Sequence, residues 1–144
     1  MKISDKGIEF LIKEEGEVLT AYKCQAGVWT IGVGHTGDEV TPELKITKEK
    51  SRELLKIDLK RFEDVVNKSI KYPIEQYQFD ALVSLAFNIG VNAFANSTVV
   101  KRINAGADMK DIEEAWKMWR MGGGRVLPVL VARRGREIKL YRGV

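Results

Sequence analysis

In SDKGIEFLIKEEG the apolar residues Ile8, Leu11 and Ile12 recur three and four positions apart. This spacing predicts an amphipathic helix over about residues 4–15, stopped by Gly16, with Glu15 at its end. The period then shortens. LTAYKC and VWTIGVG are rich in β-branched and aromatic residues and flank the turn-like Gln25-Ala26-Gly27, which together predict a β-hairpin. A further short strand is expected before Pro42. From Thr47, placed as an N-cap, Leu54, Leu55, Leu59, Phe62, Val65 and Val66 return at helical spacing and predict a long helix over about residues 47–70. Beyond Pro73 the chain reads as helical throughout. EQYQFDALVSLAFNIG is apolar on nearly every side, as a buried central helix would be. STVVKRINAG and MKDIEEAWKMWRM follow, Gly122-Gly123-Gly124 breaks the chain, and LPVLVARRGREIKLY carries Pro128 where a helix's first turn accepts it.

These elements predict an α+β, mostly helical fold in one domain spanning 1–144. A small N-terminal β-hairpin lobe covers about 14–46, the connecting helix about 47–70, and a helical lobe about 71–144 together with the N-terminal helix. Two lobes imply a cleft between them. With 144 residues the chain is long enough for one real core and too short for a second independent domain. A hydrophobic share of 44% beside 31% charged residues is that of an ordinary globular protein, and no apolar run approaches a membrane span. The charged N-terminus MKISDKGIEF lacks the apolar core of a secretory signal. One cysteine, Cys24, excludes an intramolecular disulfide, so folding is expected not to need an oxidising compartment. The formal charge of +4 favours polyanionic partners without choosing among them.

Candidate chemistry concentrates in EEGEVLTAYKCQAGVWTIGVGHTG. Glu15 is a candidate acid, and cleavage of an acetal needs such a group to protonate the leaving oxygen while a second group handles water on the opposite face. Cys24 and Thr30 lie across the predicted turn, where a thiol and a hydroxyl together could hold one water. From spacing alone the blander readings stand beside these: an exposed helical Glu, a small buried Cys, a packing Thr. Asp58 falls on the apolar stripe of the long helix, where a carboxylate needs a partner. His35, the only histidine, is the reasonable one, making His35–Asp58 a structural pair that ties the hairpin lobe to the helix. One His and one Cys make a zinc site improbable, so neither metal nor cofactor is expected.

Glu15, eight residues, Cys24, five residues, Thr30, followed by IGVGHTG, resembles the phage-type lysozymes of glycoside hydrolase family 24, whose motif is Glu, eight residues, Asp or Cys, five residues, Thr. ITKEKSRELLKIDL looks like the family's interlobe helix, FDALVSLAFNIG like its buried central helix, and GGGRVLPVLVARRGRE like its basic C-terminal segment. The resemblance implies a lysozyme-like two-lobed fold. It also implies an endolysin that hydrolyses the β-1,4 bond between N-acetylmuramic acid and N-acetylglucosamine in bacterial peptidoglycan, mostly with inversion. By the same resemblance Glu15 is the general acid, and Cys24 and Thr30 position water. Three roles stay open for Cys24, namely base, neutral water-orienter or nucleophile, with the first two preferred. Phe87, Asn88 and His35 are candidate substrate contacts; for the first two, a core Phe and a helix-terminal Asn are equally good readings. The basic segment containing Arg125, Arg133, Arg134 and Arg136 is expected to include residues lining the cleft, with none of the four assigned to face Glu15.

Three rivals have distinct signatures. A lytic transglycosylase would use Glu15 and the sugar's own hydroxyl, leaving anhydro ends. A membrane-active module would act through the basic C-terminal helix without catalysis. Nucleic-acid binding lacks a recognised motif, and the aromatic residues are not interleaved with basic ones as a stacking platform requires. The expected partner is therefore peptidoglycan, with no nucleic acid, no stable membrane insertion and a monomeric chain. The expected location is the host cytoplasm, with release to the wall through a holin lesion.

Overall fold

A computed structural model describes all residues, Met1–Val144. In chain order the elements are α1 (Asp5–Glu15), β1 (Val18–Lys23), β2 (Trp29–Gly32), β3 (His35–Thr36), α2 (Lys48–Ser69), α3 (Gln76–Ile89), α4 (Val91–Ala95), α5 (Thr98–Asn104), α6 (Met109–Lys117), β4 (Met121–Gly122), β5 (Arg125–Val126) and α7 (Pro128–Arg142). The fold is α+β and mostly helical, as the periodicities predict. The chain divides into two compact units, one of residues 8–60 and one of residues 1–7 with 61–144. No helix is long and apolar enough to cross a membrane.

In the unit of residues 8–60, β1, β2 and β3 form an antiparallel sheet with β2 in the middle. Its core is Ala21, Ile31 and Val40, packed by Trp29, Leu44, Ile46 and Leu54. α1 ends where expected, because Gly16 takes φ +81 and its N–H closes on the Ile12 carbonyl at 2.8 Å. α2 begins where expected too, since Thr47 Oγ1 accepts from the Lys50 N–H at 3.1 Å. At 22 residues α2 is about 33 Å long. Gly32 carries two constraints at once: φ +65, and a Ser51 Oγ only 3.0 Å from where a Cβ would sit, so the helix can lie directly on the sheet.

In the other unit α3 is the central element and packs on α7, with α6 also against α7 and α5 against α6. Phe79 through Ala86 are all buried. That run includes Asp80, which the hydrophobic pattern does not explain. The chain start explains it: Asp80 accepts from the Ser4 N–H at 3.0 Å, from the Ser4 hydroxyl, and from Gln76 Nε2 at 2.9 Å. A second ionic group is buried on α7. Glu137, fully buried, accepts from Ser84 Oγ at 2.6 Å, Trp116 Nε1 at 3.1 Å and Arg133 Nε at 3.2 Å, and pairs with Arg134 at 3.0 Å. So many donors around one carboxylate satisfy the requirement that buried charge be paired and hydrogen-bonded.

One part of the helical half departs from the sequence expectation. Gly122-Gly123-Gly124 does more than break the chain: Gly123 and Gly124, at φ +58 and +81, form the turn of a hairpin joining β4 and β5. Two successive positive-φ residues match the right-handed twist of flanking strands, and glycine adopts them without strain.

Candidate active site

The side chains of Cys24 and Thr30 meet because of a break in the sheet register. Val18 pairs with Gly32, but Tyr22 pairs with Thr30, so β1 carries extra residues between these pairs and bulges. Beyond the bulge, Tyr22 faces Thr30, and Cys24, two residues on, shares their side of the sheet. The hairpin closes over Gln25-Ala26-Gly27, with the Cys24 N–H donating to the Val28 carbonyl at 3.0 Å and the Gly27 N–H donating to the Cys24 carbonyl at 2.9 Å. Gly27 at φ +76 completes the three-residue loop. Cys24 therefore lies just past the strand, in the first position of the turn.

That turn surrounds the sulfur with donors. The backbone N–H of Val28 is the largest influence on the half-buried thiol and that of Ala26 the next; both hold its pKa below the ordinary value, against the desolvation that pushes it up. A hydrogen bond with the Thr30 hydroxyl adds to the lowering. Thr30 is itself buried in the central strand, paired with Tyr22 on one side and Thr36 on the other. Its Oγ1 lies 2.9 Å from the Val28 carbonyl, so its single proton goes either to that carbonyl or to the sulfur, and in both cases the oxygen keeps lone pairs for a neighbouring donor such as water. Glu15 is exposed as the last residue of α1, three residues before β1 starts, and belongs to the same compact unit.

His35, in β3, is half-buried between two carboxylates. Its Nδ1 lies 2.7 Å from Asp58 Oδ2, on α2, and its Nε2 lies 2.6 Å from Glu39 Oε1. Both ring nitrogens can donate only as the imidazolium. Burial is the largest influence and pulls the histidine's pKa down, but the hydrogen bonds and charges of Glu39 and Asp58 together outweigh it and raise it. The same hydrogen bond holds the Glu39 carboxyl below its usual range. The histidine thus clasps the segment after β2 to α2 and is occupied on both faces, an arrangement suited to structure rather than sugar contact. The sequence reading does not anticipate Glu39; its spacing four residues after the only histidine is the available signal.

Phe87 and Asn88 lie in the other unit, near the end of α3. Phe87 packs edge-on against Phe62 at 5.1 Å between ring centres. Asn88 is exposed, and its Oδ1 accepts from Arg134 Nη2 at 2.6 Å, which orients the amide so that its NH2 points elsewhere. Arg133 and Arg134 are both buried around Glu137. No three His, Cys, Asp or Glu side chains converge as a metal site would need.

Known proteins resemble this chain in sequence and in fold. The chain is 44% identical to the endolysin of Salmonella phage P22 over 98% of both chains. It is 39% identical to the endolysin of Bacillus phage PZA over 98% of its own length, and there it spans about half of a longer protein. Among solved structures, a point mutant of P22 lysozyme superposes with a TM-score of 0.91 at 42% identity, covering 99% of each chain. The sequence also matches the phage lysozyme family over residues 12–137. With the spaced Glu, Cys and Thr, the bulged hairpin and these matches together, the chain belongs to the phage lysozyme family and is a lysozyme, a hydrolase.

Proposed function

We propose that this lysozyme cleaves the β-1,4 bond between N-acetylmuramic acid and N-acetylglucosamine with Glu15 as general acid and a water held by Cys24 and Thr30 as nucleophile. The observation that carries the assignment is the sulfur's surroundings. A thiol held below its ordinary pKa by backbone N–H groups, beside a hydroxyl, has the acceptors needed to orient a water and draw off its proton. Glu15 gives its proton to the leaving oxygen as the bond breaks. The water attacks the anomeric carbon from the opposite face and loses its proton to the sulfur, so one displacement inverts the centre. Inversion requires the two functional sides to stand roughly 6.5 to 9.5 Å apart, leaving room for that water.

Digestion of purified peptidoglycan by wild type, Glu15→Gln, Cys24→Ser and Cys24→Asp in parallel tests the assignment. Products that gain one water, an inactive Glu15→Gln and an active Cys24→Asp are expected. Anhydro ends, or a folded Glu15→Gln with full activity, would overturn it. The relatives' endolysin names support host-wall lysis as the biological role. The reading includes a monomeric enzyme held in the host cytoplasm that reaches the wall through a lesion made by a holin; fractionation of unlysed cells that recovers it from the periplasm would contradict this.

A further inference from the structure

The hairpin that carries Cys24 and Thr30 has two faces, and alternation along its strands assigns each side chain to one of them. Ala21, Lys23, Trp29 and Ile31 share the first. Ala21 and Ile31 are buried there in the core of the unit of residues 8–60, Trp29 packs against them, and Lys23 lies over the Trp29 ring at 5.5 Å. The other face holds Tyr22, Cys24, Val28 and Thr30. Tyr22 pairs with Thr30, and two residues nearer the turn the Cys24 N–H donates to the Val28 carbonyl, so the four side chains form two neighbouring cross-strand pairs.

Reactive and apolar groups occupy opposite diagonals of this square. Cys24 and Thr30 stand on one diagonal, and their side chains meet. Tyr22 and Val28 stand on the other, one on each side of that contact. Thr30 is only 4% exposed, whereas Tyr22 is 38% and Val28 46% exposed. Folding does not account for the exposed pair, because the core lies under the opposite face. Two large apolar side chains clustered in the open beside reactive groups mark a contact surface, where single scattered ones do not.

The chemistry of the pair selects what covers it. A pyranose in β-1,4 linkage presents C–H groups on its faces and carries its hydroxyl and amide groups around the rim. A phenol ring and valine methyls match such a face, and the tyrosine hydroxyl can stay in water while the ring is covered. Backbone pairing holds both positions, so little order is lost when a sugar settles on them.

We propose that Tyr22 and Val28 seat the N-acetylmuramic acid ring that is attacked in hydrolysis, its C–H face packed on the phenol ring and the valine methyls so that the anomeric carbon stands over the water at Cys24 and Thr30. Seating of this kind presupposes the water assignment above and supplies what holds the sugar to it. Val28 then serves twice, its N–H donated to the sulfur and its side chain turned to the glycan.

Steady-state cleavage of soluble, peptide-free glycan strands by wild type, Tyr22→Phe, Tyr22→Thr, Val28→Thr and Cys24→Ala tests the seating, with a melting transition recorded for each. Threonine keeps the strand preference of both positions while removing the ring or a methyl. KM is expected to rise at least about tenfold in Tyr22→Thr and about threefold in Val28→Thr with kcat changed much less, and Tyr22→Phe is expected to recover most of the loss. The acidic limb of the pH–rate profile stays at its wild-type position in all three. Placed on Glu15→Gln, the same substitutions weaken strand binding in titration calorimetry by the same factors. If Tyr22→Thr lowers the melting transition, Val28→Thr, at an exposed position beside the turn, decides alone. Wild-type KM and binding in the threonine variants would overturn the proposal. So would a Tyr22→Phe as impaired as Tyr22→Thr, which would assign the contact to the hydroxyl, or an acidic limb displaced at unchanged KM, which would mean that Tyr22 acts through the sulfur. Cys24→Ala separates the two readings. Inactive beside unimpaired Tyr22 and Val28 variants, it leaves the water assignment standing and the seating wrong; cleaving at the wild-type rate, it removes the water assignment and the seating with it.

Discussion

Cys24 is the residue on which the catalytic account turns, because an ordinary thiol at neutral pH keeps its proton and an aspartate does not. The Val28 and Ala26 N–H groups shift that balance toward the thiolate. If the sulfur accepts the water's proton, activity falls as pH drops through the lowered thiol pKa. In Cys24→Asp the acidic limb of the pH–rate profile then moves down to the carboxylate range, while Cys24→Ala loses about a hundredfold or more in kcat. Superimposable limbs in wild type and Cys24→Asp would show that the thiol is not the titrating base. Thr30→Val keeps the shape of a buried strand residue while removing the hydroxyl; at least about a tenfold loss in kcat with little change in Tm is expected. The spaced Glu15, Cys24 and Thr30 are visible in the sequence because they fall within one short stretch, from the end of α1 through the hairpin. What surrounds them is less so: the donors to Cys24 are backbone groups, and no side-chain pattern announces a bulge.

At the scale of elements, the clasp made by His35 joins the β3 segment to α2 and has a pH signature. A raised histidine pKa means that the folded state binds the proton more tightly than the unfolded chain does. Its contribution to stability is therefore complete below the unfolded value of about 6.5, provided Asp58 and Glu39 stay ionised, and disappears as pH rises through the raised folded value. His35→Asn should lower Tm by several degrees near pH 5.5 and by much less at pH 9, as followed by thermal denaturation. A gap that widens toward alkaline pH would contradict the clasp. On α7, Glu137→Gln neutralises a buried carboxylate that serves four donors, and a loss of about 3 kcal/mol in urea unfolding is expected. The apolar periods of α1, α2 and α3 and the caps at Gly16 and Thr47 are legible because each is a local signal. The burial of Asp80, Glu137 and Arg134 is not, since Ser4, Ser84, Trp116 and Asn88, which complete their hydrogen bonding, lie far along the chain and only the assembled core brings them together. The β4–β5 hairpin escapes a sequence reading for another reason: Met-Gly and Arg-Val are too short to show alternation, and three glycines read as a break.

The whole molecule divides into two compact units with different cores. In the unit of residues 8–60 the sheet rests on the small cluster of Ala21, Ile31 and Val40 with partly covered neighbours, and the fully buried Leu11, Leu55 and Leu59 come from its helices, whereas α3 of the other unit lies among the enclosed Leu82, Leu85, Phe94, Ile103 and Trp116. Native-state hydrogen exchange should therefore find the β1–β2 amides opening at a lower free energy than those of α3. Equal protection in both would mean that the molecule opens only as one piece. The α+β class follows from periodicity and the family and lysozyme activity from the resemblance that the spaced motif carries, while the β4–β5 hairpin needs its strand pairing to be seen. Time-resolved proton NMR of the first-formed reducing ends during glycan cleavage tests the catalytic claim most directly. Attack by a water held at Cys24 and Thr30 predicts that the α-anomer appears first and equilibrates afterwards. A β-anomer appearing first would mean two displacements through a covalent intermediate, and would contradict the single attack by water.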